Sequence, residues 1–174
     1  MKSSLFRIVI VGIIVTFLVS FSNLTLAGEK KVFSINLKRE KIVSEKMLHV
    51  YESFKEQVWQ GESLYLIKDS NDPNLIGAEQ TVYWQRDSSL ARGGIERGYT
   101  ITRTKDGDVF YSRYESTYKV IRKDFPKTEK QSSSKHQIFG GIKKFDDVNG
   151  SYSCDGIMNE NKEEIVKCQG EWEY

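Results

Sequence analysis

The chain has 174 residues, with 26 Lys+Arg against 24 Asp+Glu and 12% aromatic residues. Its one basic run, Arg122 to Lys135, is broken by Asp124, Pro126 and Glu129 and reads as a solvated connection. Near-neutrality without a clustered basic face excludes a nucleic-acid surface, and the length suits one domain with its own core.

The amino end has three parts: a basic start with Lys2 and Arg7, an apolar run from Ile8 to Phe21, and a polar stretch ending at Ala27. Thr25 and Ala27 stand at −3 and −1 of a cleavage site, which is the pattern of a secretory signal peptide. An uncleaved anchor is the alternative. A spanning helix wants about 20 apolar residues, and this run is shorter. No cysteine lies near residue 27 to carry a lipid. Removing 27 of 174 residues leaves 147, and it takes Lys2 and Arg7 with it, so the remaining domain is formally neutral. The expectation is a secreted or periplasmic protein that leaves the membrane once the signal is cut.

Residues 28–45 read as an N-terminal arm or short strand, and residues 46–174 as a β-barrel domain. Met47 to Trp59 fits alternation and helical spacing alike; its Tyr, Phe, Val and Trp content favours a strand. A short apolar run, Ser63 to Ile67, precedes a turn at Asn71, Asp72 and Pro73. Ile76 to Arg86 alternates Ile76, Ala78, Val82 and Trp84 on one side, and Asp87 to Gly94 is a Ser/Gly-rich loop. Further strands are expected over Ile95–Thr104, Asp108–Val120, His136–Lys144, Val148–Met158 and Glu164–Glu173. Many short strands between turn residues define an all-β fold, here a single antiparallel, calycin-like barrel of about eight strands.

Two dipeptides predict hairpins with two-residue turns. At Asp106-Gly107, pairing residues whose numbers sum to 213 sets Tyr99 against Tyr114 and Ile101 against Ser112. The inner face is then aromatic and aliphatic, and Arg97 lies on it near mid-strand. A charge there must be paired or solvated; a salt-bridged or snorkelling arginine is the plainer alternative. A three-residue turn would shift the pairing by one and mix the faces. At Asn149-Gly150, a sum of 299 sets Phe145 against Cys154. A third hairpin closing within Asn159–Lys162 brings Cys154 beside Cys168, the only two cysteines. In an exported protein this even pair reads as a disulfide. It would close a loop of about 15 residues, worth about 3 kcal/mol in the chain-entropy account.

The stretch Phe139-Gly140-Gly141-Ile142-Lys143-Lys144-Phe145, with Asn149-Gly150-Ser151-Tyr152, resembles a recurring hairpin of the allene oxide cyclase and dirigent barrel group. Gly140, Gly141, Lys144, Phe145 and Gly150 carry the match; Ile142 and Lys143 stand where the group has Thr and Gly. Gly98-Tyr99 and Lys105 to Phe110 are similar to an uncharacterised exported bacterial branch. The resemblance spans about residues 76–174. It implies an eight-stranded antiparallel barrel with an apolar interior, in a group that holds cyclases and proteins that steer radical coupling. No catalytic residue of the group's plant cyclases falls on a matching position here.

No Gly-x-Ser-x-Gly, His-Glu-x-x-His or phosphate-binding glycine loop occurs in the sequence. Asp106-Gly107-Asp108 looks like the start of a calcium loop, but its twelfth position is Thr117, where an acid is required. His49 and His136 are far from each other and from the cysteines, so neither a metal site nor a catalytic triad is supported. Glu163 and Glu164 read as an exposed strand end. Neither a cofactor nor a metal is expected. The leading expectation is a barrel that binds a small, largely apolar ligand through Trp84, Arg97, Tyr99 and Tyr114. The alternatives are a cyclase or isomerase using Arg97 and the tyrosines, and a non-catalytic module with a packed core.

The export reading has a direct check. Intact-mass measurement on the exported protein is expected to find a chain beginning at Gly28; a product that keeps Ile8 to Phe21 would establish the anchor instead.

Overall fold

The structure is a computed structural model that describes residues 30–48, 56–89, 93–122, 129–159, 161 and 163–173. The segment read as a signal, residues 1–27, lies outside them, as do residues 49–55 of the strand expected from Met47 to Trp59. The described residues form eight strands: β1 (Lys31–Leu48), β2 (Glu56–Ser70), β3 (Glu79–Ser89), β4 (Gly93–Arg103), β5 (Val109–Arg122), β6 (Glu129–Ile142), β7 (Asn149–Met158) and β8 (Glu164–Glu173). Each pairs antiparallel with its sequence neighbours, and β1 pairs with β8, so the sheet closes into an up-and-down barrel. Where residues 31–38 of β1 pair with β8, closure removes the sheet edges.

The segment expected to be an arm is the closing strand. Phe33, Ile35 and Leu37 alternate into the barrel and are buried. Lys31 to Lys38 pair with β8, whereas β1 beyond Lys38 pairs only with β2 and overruns the barrel. The strand expected from Met47 to Trp59 is in fact the end of β1 and the start of β2. The polar run from Glu129 to Lys135 is also strand rather than loop, because its inward residues face a polar part of the lumen.

The hairpin at residue 107 departs from expectation in register. β4 and β5 pair with a sum of 212: Gly98 faces Tyr114, Thr100 faces Ser112, and Thr102 faces Phe110. The turn has three residues. Thr104 N donates to Asp108 O at 2.9 Å, Gly107 N donates to Thr104 O at 3.0 Å, and Gly107 has φ 78°. This is a type I turn followed by a left-handed glycine, the usual three-residue hairpin loop. The inward set of β5 stands as expected. That of β4 is turned over, so Tyr99 and Arg97 point outward and Glu96, Gly98, Thr100 and Thr102 point inward. Volume explains the choice. Rings from Phe110, Tyr114 and Tyr118 already occupy the lumen, so the partner strand must offer small side chains. A Cβ on Gly98 would come 3.0 Å from Tyr114 Cε1 and 1.9 Å from the Tyr83 carbonyl oxygen.

The Asn149-Gly150 turn is likewise corrected. Both residues lie inside β7, and β6 pairs with β7 at a sum of 288, as in His136 with Tyr152. Gly150 is needed for close approach: a Cβ there would meet Trp172 Cα at 2.7 Å. The connection is a 3-10 turn, Lys143–Phe145, that tucks Phe145 under the barrel. A second 3-10 turn, Pro73–Leu75, does the same with Leu75. Both side chains are fully buried, each worth about 1.5–3 kcal/mol of burial. With Phe33, Phe110 and Trp172 they plug this end; Phe33 and Trp172 stack at 4.3 Å. The third hairpin is as expected: Cys154 pairs with Cys168 and the two are joined by a disulfide.

The packing argument predicts the cost of filling Gly98. Gly98→Ala is expected to lose about 1–3 kcal/mol in urea unfolding, and an unchanged midpoint would show that the strand tolerates a methyl at Tyr114.

Candidate functional site

The lumen has two halves. The end closed by the 3-10 turns is dry and aromatic. The other end, where β1 meets β2 and β7 meets β8, is lined by charges, hydroxyls and rings.

Between them lies a buried polar layer. Gln80 Nε2 donates to Thr102 Oγ1 at 2.9 Å, Thr100 Oγ1 and Ser112 Oγ share a hydrogen bond at 2.7 Å, and Ser112 Oγ meets Tyr152 Oη at 2.9 Å. Each group has a partner, which avoids the roughly 1–3 kcal/mol cost of an orphaned polar atom. His136 sits in this layer, stacked between Tyr114 (5.0 Å) and Tyr152 (4.2 Å). Its Nε2 meets Ser134 Oγ at 3.0 Å. Burial pushes its pKa down to about 3, so the imidazole is neutral.

Above that layer stand two similar clusters. Arg86 Nε donates to Glu96 Oε2 at 2.8 Å, and Tyr114 Oη donates to Glu96 Oε1 at 2.7 Å. Across the lumen, Arg39 Nη1 and Tyr65 Oη both donate to Glu164 Oε2 at 2.8 Å. Each carboxylate thus holds a guanidinium and a phenol. Burial raises the pKa of both tyrosines, and the neighbouring carboxylates add to it, so the phenols stay protonated as donors. Burial alone would lower the pKa of Arg86, but Glu96 foremost, together with Tyr118 and Glu164, raises it on balance. The Arg86 guanidinium lies between the Trp84 ring (4.9 Å) and the Tyr118 ring (5.0 Å), an attraction to both ring faces. Trp84 Nε1 donates to Ser63 Oγ at 3.1 Å. Lys130 Nζ lies 5.3 Å from the Tyr118 ring centre. Burial, and then Arg86, lower its pKa. These groups enclose a cavity of about 100 Å³.

Of the four residues singled out from sequence, the structure brings two together here. Trp84 and Tyr114 pack with Val82 in the lumen. Arg97 and Tyr99 are placed outside, a correction that follows from the register. Arg97 Nε donates to Glu115 Oε2 at 2.7 Å across the strand pair, with 62% of its side chain exposed. Tyr99 is 59% exposed and meets Phe139 edge-on. Both line a shallow outer concavity of about 950 Å³ across β4 to β8. It is larger than the lumen cavity but open to solvent, and Arg97 is already paired there. The buried, converging polar groups are in the lumen.

Glu164 is a second correction: it faces inward with Val166 and Cys168, with only 16% of its side chain exposed. Sequence reasoning passed over Arg39, Arg86, Glu96, Tyr118 and Lys130. Arg86 was within reach, since it stands two residues beyond Trp84 on the same strand face. Comparison of the chain with protein-family models, with curated proteins and with solved structures finds no match. The fold and site define the class: a closed eight-stranded barrel, plugged at one end and charged at the other.

The neutral imidazole makes stability depend on pH. With a folded pKa of about 3 against 6.5 unfolded, the unfolded chain binds the extra proton between those values. Stability is therefore full above pH 6.5 and falls as the pH drops towards 3. His136→Phe, which keeps the stack and cannot titrate, is expected to flatten the fall from pH 6.5 to 5 in denaturant titrations; an equal slope in both proteins would assign it to other groups.

Proposed function

We propose that this chain is an exported barrel protein that binds one compact small molecule in the charged half of its lumen. The observation that carries this reading is the convergence of Trp84, Arg86, Glu96, Tyr114, Lys130 and Glu164 on one cavity, while the opposite end is closed by Phe145 and Leu75. Carrying so many charges and hydroxyls inward is costly for a module that only needs to pack, and a few fixed polar groups among rings is the usual lining of a ligand site. The lining favours a ligand that is partly apolar and partly charged over the largely apolar one expected from sequence. Export is supported by the signal-like amino end and is compatible with the Cys154–Cys168 disulfide. The resemblance to the allene oxide cyclase and dirigent barrels agrees with the strand number and supports the ligand reading only by analogy.

Native mass spectrometry of the protein secreted by its own host tests this reading. The expected result is a bound mass that is lost on denaturation and is lost or reduced in Trp84→Ala. A bare mass in the native protein, with Trp84→Ala and wild type alike, would favour a packed structural module.

A further inference from the structure

We infer that the lumen selects a compact molecule of zero net charge, because its own charges already cancel. The inference rests on the ligand-binding reading above and narrows it to a ligand class. Among the described residues, the charged side chains that line the cavity are Arg39, Arg86 and Lys130 against Glu45, Glu96 and Glu164. Three cations stand against three anions. Arg39 pairs with Glu164 and Arg86 with Glu96, and each of these carboxylates also takes a tyrosine hydroxyl. Lys130 is held between opposing influences: burial and Arg86 act against its charge, while Glu164 and Glu45 act for it. The rings of the lining add no charge. Burial keeps Tyr65, Tyr114 and Tyr118 protonated and His136 neutral.

An ion entering this space gives up water and finds no surplus of opposite charge to replace it. That loss is costly whichever sign the ion carries. The ion could recruit a partner only by drawing a carboxylate away from its guanidinium, which would leave another charge unpaired. A ligand without net charge meets neither cost, and any charge it carries is matched within the same molecule. The rest of the lining suits such a ligand. Leu37, Ile42, Val82, Met158 and Val166 supply apolar surface beside the Trp84 and Tyr118 rings, and Ser132 adds a hydroxyl. Size sets a further limit. At about 10–15 Å³ per water-sized site, a cavity of about 100 Å³ holds a molecule of about seven to ten non-hydrogen atoms.

The experiment is isothermal titration calorimetry of the whole exported protein, at neutral pH and low salt, with benzyl alcohol, benzoate and benzylammonium. These probes share one ring and differ in charge. The alcohol is expected to bind at least about tenfold more tightly than either ion. Two variants then unbalance the lumen in opposite directions. Lys130→Gln leaves a negative surplus and should favour benzylammonium over benzoate by at least about threefold relative to wild type. Glu45→Gln leaves a positive surplus and should shift the same ratio the other way. Lys130 and Glu45 lie outside both ion pairs, so neither change disturbs them. Either ion binding as tightly as the alcohol, no binding of the alcohol at millimolar concentration, or a shift of the same sign in both variants would each overturn the inference. A host-derived ligand of net charge in native mass spectrometry would remove the neutrality and leave the lumen reading standing, whereas a bare lumen would remove both.

Discussion

Size complementarity across the β4–β5 ribbon is the constraint on which the rest of the structure depends. Three rings of β5 point inward, and the lumen has no room for a second aromatic layer opposite them. Gly98, Thr100 and Thr102 supply the small surface, and Gly98 in particular lets the Tyr114 ring lie against bare backbone. A sheet has a side-chain period of two, so this single fit decides every residue of β4 at once. Tyr99 and Arg97 go out. Glu96 goes in, beside Arg86 of the neighbouring strand, and the site exists because of that placement.

The second feature is the division of the lumen. Phe33, Phe110, Phe145 and Trp172 form a dry plug, and hydrophobic burial there stabilises the closed end. A layer of satisfied hydroxyls and amides follows, with neutral His136 held between two tyrosines. Charges occur only beyond it. The order has a physical logic. The low-dielectric plug would make an ion prohibitively costly, whereas the open end keeps charges close to water and to each other. The Cys154–Cys168 bridge ties β7 to β8 at the boundary of the two halves. It thereby supports the strand that carries Glu164, four residues before Cys168.

Strand alternation, turn residues and the cysteine pair are local properties, and they were enough for an all-β barrel, for most strand positions and for the disulfide. The inward faces of β3 and β5 were also legible, because their large residues are the inward ones. β4 and β6 break that rule. On β4 the bulky Tyr99 and Ile101 lie outside, and on β6 the inward residues are Lys130, Ser132, Ser134 and His136. Hydrophobicity then points to the wrong face or to no strand at all. Asn149-Gly150 misled for a related reason: its glycine answers to the Trp172 backbone across the sheet rather than to a turn.

By itself, then, the sequence determined the class of structure, the covalent link and two of the lumen residues, since these follow from periodicities and spacings along one strand. Tertiary structure decided which way β4 faces, that residues 31–38 close the barrel, and that Arg39, Arg86, Glu96, Lys130 and Glu164 share a cavity. Those outcomes depend on volumes and charges contributed by strands distant in the chain, and no local pattern records how much space a facing strand has already filled.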